Sequence, residues 1–320
     1  MTNPTGTLAH AIFSTEVVLE ILRINYSFNG DIGCTLEKSA PNNLYRIATR
    51  KGNFALKLSS TPESIEFEFE YVRFLRLNDV KVSNPIATNS GTSFCHFACG
   101  DWEAYGVLHE YVEGRELSHY EPQDSIAYGR ELARLHLAGD KFEPNSVPPE
   151  FEPTDRLERS VDHIIEVLDS LDRSEPIQAY RRAAAKLAPK LDSISAQCIS
   201  KRFLHGDTHG GNAKLYQSDI WFFDFELSCR GPIEWDFACF LWASKVGKRE
   251  ESYYRLIKGY RETNECLTFS QEAVDSLAVL KEFEVVGNQL TMSKVLGSWF
   301  ITDRYLEMRL DALRSDTSRL

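Results

Sequence analysis

The stretch that decides the fold is HGDTHGGN at His205–Asn212, followed after eleven residues by Asp224–Phe225–Glu226. It lies within Phe203–Phe225, where two short apolar runs surround a polar, glycine-rich loop. A carboxylate and an amide five residues apart on such a loop, with a second carboxylate at a strand end, supply three oxygen groups that can converge. A small set of hard oxygen donors is what Mg²⁺ binds in proteins, whereas zinc prefers thiolates or several imidazoles. The segment therefore predicts a magnesium site.

The spacing of these groups matches the template of phosphoryl transfer. In that template an Asp accepts the proton of the substrate hydroxyl, an Asn five residues later holds a metal, and a later Asp holds metal that bridges the nucleotide phosphates. Asp207, Asn212 and Asp224 follow this order, which predicts Asp207 as catalytic and Asn212 and Asp224 as metal ligands. The alternative is an ordinary turn, with Asp224 as a helix cap or a buried ion-pair partner. The joint match of motif and spacing favours the first interpretation.

The composition excludes several classes of function. The 320 residues include 36 Lys and Arg against 47 Asp and Glu, which gives a formal net charge of −11. Binding of nucleic acid or anionic membranes depends largely on basic residues, so neither partner is expected. No apolar run reaches the ~18 residues of a membrane helix, and no secretory signal is recognisable at the N-terminus. Seven scattered cysteines indicate reduced thiols, and we expect a cytoplasmic protein.

The chain changes character after its first third. Alternating apolar and polar residues, separated by turn-forming clusters, predict strands in that part. Apolar residues at three- and four-residue steps predict one helix among them, Glu63–Leu77, and helical periods dominate after Gln123. The predicted strands are Thr35–Glu37, Leu44–Thr49, Phe54–Leu58, Ser93–Ala98 and Ala104–Tyr111. The predicted later helices are Asp124–Gly139, Arg156–Leu171, Pro176–Ser193, Glu250–Thr263, Ser270–Asn288 and Thr291–Leu313.

The sequence resembles the aminoglycoside phosphotransferase family, a kinase-like group that includes homoserine and choline kinases and a bacterial stress-response Ser/Thr kinase. The resemblance rests on the His205–Asn212 loop, on Asp224–Glu226, and on Gly231–Pro232 with Asp236. It implies a bilobal, kinase-like α+β fold, with a small mixed-sheet nucleotide-binding lobe over residues 1–113 and a mainly helical catalytic and substrate-binding lobe over residues 114–320. It also implies ATP and Mg²⁺ as cofactors.

The resemblance assigns further residues to nucleotide binding. Lys57, in the strand Phe54–Leu58, is similar to the lysine that holds the α and β phosphates. Its carboxylate partner is one of Glu63, Glu66, Glu68 and Glu70. The number of residues from each of them to Val80–Val82 and Pro85, compared with the family's usual pattern, favours Glu68. Glu110 and Val112 resemble the hinge between the lobes, where the carbonyl of Glu110 and the N–H of Val112 would meet adenine.

The phosphate loop is where the pattern is weakest. The sequence contains neither G-x-G-x-x-G nor a Walker loop. The family often uses a Ser/Asn turn instead, and Ser39, Asn42 and Asn43 stand at the corresponding place; a plain hairpin turn would have the same sequence. His136 is predicted to be a packed structural residue, and the resemblance gives His205 a role in supporting the loop rather than in proton transfer.

The function implied is transfer of the γ-phosphoryl group of ATP to a hydroxyl of a small molecule. Aminoglycosides, amino alcohols, sugars and homoserine-like compounds are candidate acceptors, and the sequence does not choose among them. It also leaves open the preference for ATP over GTP and the oligomeric state. Two alternatives are a Ser/Thr protein kinase of the stress-response type and a nucleotide-binding pseudokinase.

Overall fold

An antiparallel sheet followed by a helical part makes up the fold of the protein, which is seen here in a computed structural model. The expected α+β class is therefore observed. None of the described helices is long and apolar enough to cross a membrane. The structure describes residues 11–28, 30–40, 42–59, 65–100, 102–117, 121–197 and 201–317.

The large sheet has the strand order β1-β2-β3-β6-β4, and β5 also pairs with β6. Every described strand pair in it is antiparallel. The sheet is therefore antiparallel and not the mixed sheet that was predicted. Short hairpins join β1 to β2 and β2 to β3, and such connections can only produce antiparallel neighbours. The strands are β1 (Gly33–Lys38), β2 (Asn43–Thr49), β3 (Gly52–Ser59), β4 (Pro85–Ile86), β5 (Cys95–Cys99) and β6 (Trp102–Glu110).

Helix α1, Thr15–Asn25, precedes the sheet and was not predicted. Ser14 caps its N-terminus by accepting a hydrogen bond from the Val17 N–H at 3.4 Å. Val18 and Leu22 are fully buried against the sheet in a core that includes Tyr45. The short amphipathic stripe of this helix is a weak signal beside the strands that follow it.

Helix α2, Ile65–Leu77, packs against the helical part and agrees with the predicted span where that span is described; Glu63 lies outside the described residues. The rings of Phe67 and Tyr71 stack 5.7 Å apart, and both contact the ring of Phe203. Aromatic contacts of this kind bury large areas. They hold α2 against the segment that leads into the polar loop.

The helical part contains α3 (Pro122–Gly139), α4 (Pro153–Ser170), α5 (Ser174–Gln197), α6 (Glu234–Val246), α7 (Glu251–Thr263), α8 (Gln271–Thr291), α9 (Ser293–Leu296) and α10 (Asp303–Thr317). Helix α6 was not predicted, because its residues are apolar on nearly all faces and show no helical period. The single helix expected at Thr291–Leu313 is wrong. Gly297 has a φ of +80° there, which a right-handed helix cannot contain, and a 3₁₀ turn at Ser298–Phe300 follows.

Short strands connect the two parts around the polar loop. Val82 forms a parallel bridge with Phe222, and the Ser83 N–H donates to the Phe222 carbonyl oxygen at 2.9 Å. The strand that contains Phe222 ends just before Asp224, so this bridge places Asp224 beside the large sheet. A lobe boundary at residue 113 stays a prediction. The short strands are β7 (Arg115–Glu116), β8 (Arg202–Leu204), β9 (Ala213–Tyr216), β10 (Asp219–Phe222) and β11 (Cys229–Gly231).

The contact between α3 and α7 gives a stability prediction. A Cβ on Gly129 would lie 2.0 Å from the Leu256 carbonyl oxygen, which is backbone and cannot move aside. We expect Gly129→Ala to lower the free energy of unfolding by about 1–3 kcal/mol through overpacking. Gly33→Ala is the control, because its Cβ would meet the Ala48 Cβ at an ordinary 3.5 Å. Urea denaturation measures both, and equal stability of the two variants would contradict the packing argument.

Candidate active site

A buried carboxylate organises the loop that carries Asp207. Asp236, fully buried near the start of α6, accepts hydrogen bonds from the backbone N–H of His205 at 3.0 Å and of Gly206 at 2.8 Å. One of its oxygens also lies 2.9 Å from Nε2 of His136, and the Thr208 hydroxyl donates to its backbone carbonyl. The loop is thus fixed at its first turn, and His136 is a packed structural residue as predicted.

Glycine is required at position 206. Its φ is +85°, and a Cβ there would lie 1.9 Å from the Leu227 carbonyl oxygen. The Trp235 indole N–H donates to the Gly206 carbonyl oxygen at 2.9 Å. The His-Gly-Asp pattern therefore has a local steric reason, because only glycine avoids the clash and the strain of positive φ.

His205 links the loop to the strand end that carries Asp224. Its Nδ1 lies 3.3 Å from the Asp207 N–H, which donates to it, and its Nε2 lies 3.1 Å from the Phe223 carbonyl oxygen. Burial lowers the pKa of His205, and a neutral ring with a proton on Nε2 satisfies both contacts. Both nitrogens are occupied, which fits a supporting role.

The Asp207 carboxylate is held from two sides. The Asn212 amide Nδ2 donates to its Oδ2 at 2.9 Å, and His209 Nε2 lies 3.4 Å from the same oxygen. Lys281 Nζ lies 2.8 Å from Oδ1. Burial opposes ionisation of Asp207, but Lys281 and His209 outweigh it and hold the pKa well below its usual range. The carboxylate is therefore ionised and restricted in orientation.

Lys281 was missed by the sequence analysis. It lies on α8 and is 6% exposed, so it is a buried lysine in contact with the predicted catalytic residue. The signal that could have found it is a single lysine directly after the apolar run Leu277–Leu280. Lysine is rarely fully buried unless it is paired, and such a position indicates a buried counter-ion.

Asp224 and Lys57 meet at the other end of the site. Lys57 Nζ forms an ion pair with Asp224 and lies 2.7 Å from Glu226 Oε2. Burial disfavours the Lys57 ammonium, but Asp224, Glu226 and Glu68 outweigh it and raise its pKa. Asp224 has a φ of +67°, and its side chain is 41% exposed. Non-glycine residues with positive φ concentrate at functional sites, and this one remains open to a ligand.

The predicted phosphate turn reaches the site through Asn42. The Asn42 amide donates to Glu226 Oε1 and Oε2 at 3.1 and 3.0 Å. Asn43 is not brought there, since its side chain is buried and donates to the Ala11 carbonyl oxygen at 2.6 Å. Ser39 is not among the residues that line the adjacent cleft. The turn therefore contacts the site at one of its three predicted residues.

Of the four candidate partners of Lys57, the structure describes Glu66, Glu68 and Glu70. Their contacts show which of them lies near Lys57. Glu66 accepts from the Ser93 hydroxyl at 2.5 Å, and Glu70 accepts from the Ser146 hydroxyl at 2.7 Å. Glu68 instead lines a small pocket together with Lys57. Burial raises the pKa of Glu68 to about 7; Lys57 opposes this shift, and the charges of Asp224 and Glu226 add to it.

Most of the predicted site residues face a cleft of about 390 Å³, within the range of small-molecule sites, but Asp207 is not among its lining residues. The predicted hinge residues Glu110 and Val112 line it. The Ser83 hydroxyl donates to the Glu110 carbonyl oxygen at 2.7 Å, and Lys214 Nζ donates to the Val112 carbonyl oxygen at 3.0 Å. Among the predicted site residues, the cleft lining includes Lys57, Glu68, Asn42, Glu110, Val112, Asn212 and Asp224.

The donor set suits a magnesium ion that also binds phosphate. The Phe223 N–H donates to the Asn212 carbonyl oxygen at 3.1 Å, which places Asn212 beside the residue before Asp224. Since Asn212 Nδ2 donates to Asp207, its Oδ1 is the atom left for a metal. Within the described residues, no cluster of three or more His, Cys, Asp or Glu is placed to bind a metal alone. A site of one carboxylate and one amide oxygen, completed by phosphates and water, fits Mg²⁺.

Comparison with known proteins confirms the resemblance. The family model described as the phosphotransferase enzyme family matches residues 35–269. A relative in Synechocystis sp., protein sll1119, is 24% identical over 303 residues, which cover 92% of this chain and 78% of the relative. The family match covers most of the large sheet, from within β1 onward, and the loop that carries Asp207.

Solved structures confirm the kinase-like fold. Amicoumacin kinase hAmiN, in complex with AMP-PNP, Ca²⁺ and amicoumacin, superposes with a TM-score of 0.74 at 17% identity, covering 95% of this chain and 93% of its own. A microcompartment-associated aminopropanol kinase superposes with a TM-score of 0.68 at 18% identity, covering 94% and 95%. At such low identities the similarity shows the fold alone.

The role of Asp236 can be tested by stability. In Asp236→Asn an amide N–H would face the buried N–H of His205 or Gly206, and a buried charge-assisted contact would be lost. We expect a loss of about 3–5 kcal/mol in the free energy of unfolding. Asp311→Asn, at an exposed ion pair with Arg314, should change stability by less than about 1 kcal/mol. A denaturation series that shows equal losses would contradict the role given to Asp236.

The raised pKa of Glu68 predicts a pH effect on stability. The folded carboxyl holds its proton up to about pH 7, whereas an ordinary one releases it near 4.5. Stability from this group is therefore complete below about 4.5 and is lost as pH rises through 7. Relative to Glu68→Gln, the natural protein should lose unfolding free energy over that range.

Glu272→Gln is the matched control for this series. A hydrogen bond from Lys190, supported by its charge, lowers the pKa of the exposed Glu272 carboxyl. Its contribution should therefore be lost as pH falls, which is the opposite sign. Urea midpoints measured from pH 4 to 8 compare the variants. A Glu68→Gln curve parallel to that of the natural protein would show that Glu68 titrates normally.

Proposed function

We propose that this chain, which belongs to the phosphotransferase enzyme family, transfers the γ-phosphoryl group of ATP to a hydroxyl of a small molecule, with Asp207 as its catalytic residue. The observation that carries the proposal is the convergence of four predicted groups. Asp207 is hydrogen-bonded to Asn212, which lies beside Asp224, and Asp224 is paired with Lys57. An ordinary turn with an unrelated ion pair would not require this convergence.

ATP would occupy the cleft of about 390 Å³. The hinge backbone at Glu110 and Val112 would contact adenine, and Lys57 would hold the α and β phosphates. Asn212 Oδ1 and Asp224 would hold Mg²⁺, which offsets the charge on the phosphates when it is bound. The net charge of −11 does not oppose nucleotide binding, because the cations that matter are local.

Nucleotide binding would exchange the partners of Lys57. In the present structure Lys57 contacts Asp224 and Glu226. A metal on Asp224 would compete for that carboxylate and leave Lys57 to the phosphates. Glu226 and Glu68, which line the same small pocket as Lys57, would then be the carboxylates left beside it.

Asp207 would act on the acceptor hydroxyl. The hydroxyl oxygen attacks the γ-phosphorus, the bond from that phosphorus to the bridging oxygen breaks, and ADP leaves. The hydroxyl proton passes to the Asp207 carboxylate and from there to solvent. Lys281 and His209 keep this carboxylate ionised, and Lys281 and Asn212 orient it. Its main contribution would therefore be alignment of the acceptor, with proton acceptance late in the step.

The acceptor is proposed to carry an amine as well as a hydroxyl. Two structural neighbours are named as kinases of amicoumacin and of aminopropanol, and the acidic balance of this chain favours a neutral or cationic acceptor over an anion. ATP consumption should be screened with amino alcohols, aminoglycosides, homoserine and sugars. Stimulation by sugars alone would refute the amine requirement.

Two substitutions separate chemistry from binding. Asp207→Asn should lower turnover by about 10²–10⁴-fold, because it removes the proton acceptor, while Mg²⁺-dependent binding of AMP-PNP survives. Asp224→Ala should abolish the Mg²⁺ dependence of that binding. Steady-state kinetics and calorimetric titration measure these two quantities.

Asp169→Asn, on the exposed face of α4, is the control and should behave as the natural protein does. Turnover by Asp207→Asn at the natural rate would refute the proposed role of Asp207. Label transferred to a protein, with no small molecule consuming ATP, would support the protein-kinase alternative instead.

A further inference from the structure

Two carboxylates lie within reach of the Lys281 ammonium, and Asp207 is the closer one. Its Nζ lies 2.8 Å from Asp207 Oδ1 and 3.7 Å from Glu284 Oε2. Glu284 is held at 2.9 Å by Arg156, so its charge is already balanced. The 6% exposed Lys281 therefore depends on Asp207 for its charge balance.

Lys281 lies behind the loop rather than in the cleft. It is not among the described residues that line the nucleotide cleft. Its ammonium lies 5.5 Å from the centre of the Trp235 ring, and Trp235 itself donates to the Gly206 carbonyl oxygen. The lysine thus approaches Asp207 from the side of α6 and α8, outside the lining of the cleft.

We propose that Lys281 is a positioning residue, which fixes the Asp207 carboxylate through Oδ1 while Asn212 holds Oδ2. The inference rests on the proposed function of Asp207. With both oxygens held, the carboxylate keeps one orientation toward the acceptor hydroxyl. Since Lys281 belongs to α8, it also ties that orientation to the helical part of the fold.

Removal of the ammonium should impair turnover more than binding. In Lys281→Met the side-chain length is kept but the contact to Oδ1 is lost. We expect kcat to fall by about 10²-fold, the loss associated with a small misplacement of a catalytic group. The KM for ATP should stay within about twofold, because Lys57 and Asp224 hold the nucleotide independently. Lys281→Arg retains a cation and should restore at least part of the lost kcat.

A double-mutant cycle distinguishes positioning from a general structural role. If Lys281 acts through Asp207, Lys281→Met should cause no further loss of kcat in the Asp207→Asn background. Independent, multiplying losses would overturn the inference, and so would natural kcat in Lys281→Met. Lys190→Met is the matched control, because Lys190 forms an ion pair with Glu272 at the start of the same helix; it should keep natural kcat.

If Lys281→Met is too unstable for a kinetic assay, melting temperatures test the pairing of Lys281 with Asp207. Removal of the lysine alone leaves the Asp207 carboxylate without its lysine counter-charge, whereas Lys281→Met with Asp207→Asn removes both charges. The double variant should therefore melt above the single Lys281→Met variant, and equal melting would overturn the pairing. This comparison needs neither ATP nor an acceptor. If the natural protein showed no ATP turnover with any acceptor, the proposed function would be refuted. The melting comparison would still test the ion pair between Lys281 and Asp207.

Discussion

The hydrogen bonds from the His205 and Gly206 backbone to the buried Asp236 carboxylate are the constraint on which the site depends. They fix the turn from which Asp207 projects, and glycine at 206 lets the chain pass close to the Leu227 carbonyl. His205 then joins this turn to the strand end at Asp224. The turn and the strand end, 18 positions apart in sequence, are thereby held in one geometry without a ligand.

Charge balance is the second organising feature. Asp224, Glu226 and Glu68 share Lys57, and Asp207 pairs with Lys281. The three carboxylates around Lys57 exceed its charge. Burial raises the pKa of Glu68 to about 7, and the charges of Asp224 and Glu226 add to the shift. A divalent cation at Asp224 would relieve the excess. The site therefore combines a loop held by hydrogen bonds to the buried Asp236 with a region whose charge would be completed by metal and nucleotide.

Sequence patterns predicted the parts of the site that depend on local spacing. Asp207, Asn212 and Asp224 lie within one segment, so motif and strand context were sufficient to expect their convergence. Lys281 could not be predicted to reach Asp207, because that contact depends on how α8 packs in three dimensions. Helix α6 escaped prediction because burial on nearly all faces removes the helical period. The bond between Asn42 and Glu226 likewise joins residues 184 positions apart.

Transfer of the γ-phosphoryl group to a small-molecule hydroxyl is the central claim, and ³¹P NMR tests it most directly. The protein would be incubated with Mg²⁺, ATP and the acceptor that most stimulates ATP consumption. We expect a phosphomonoester signal that grows in equal amount with ADP, with little inorganic phosphate. ADP accompanied only by inorganic phosphate, for every acceptor tried, would contradict it.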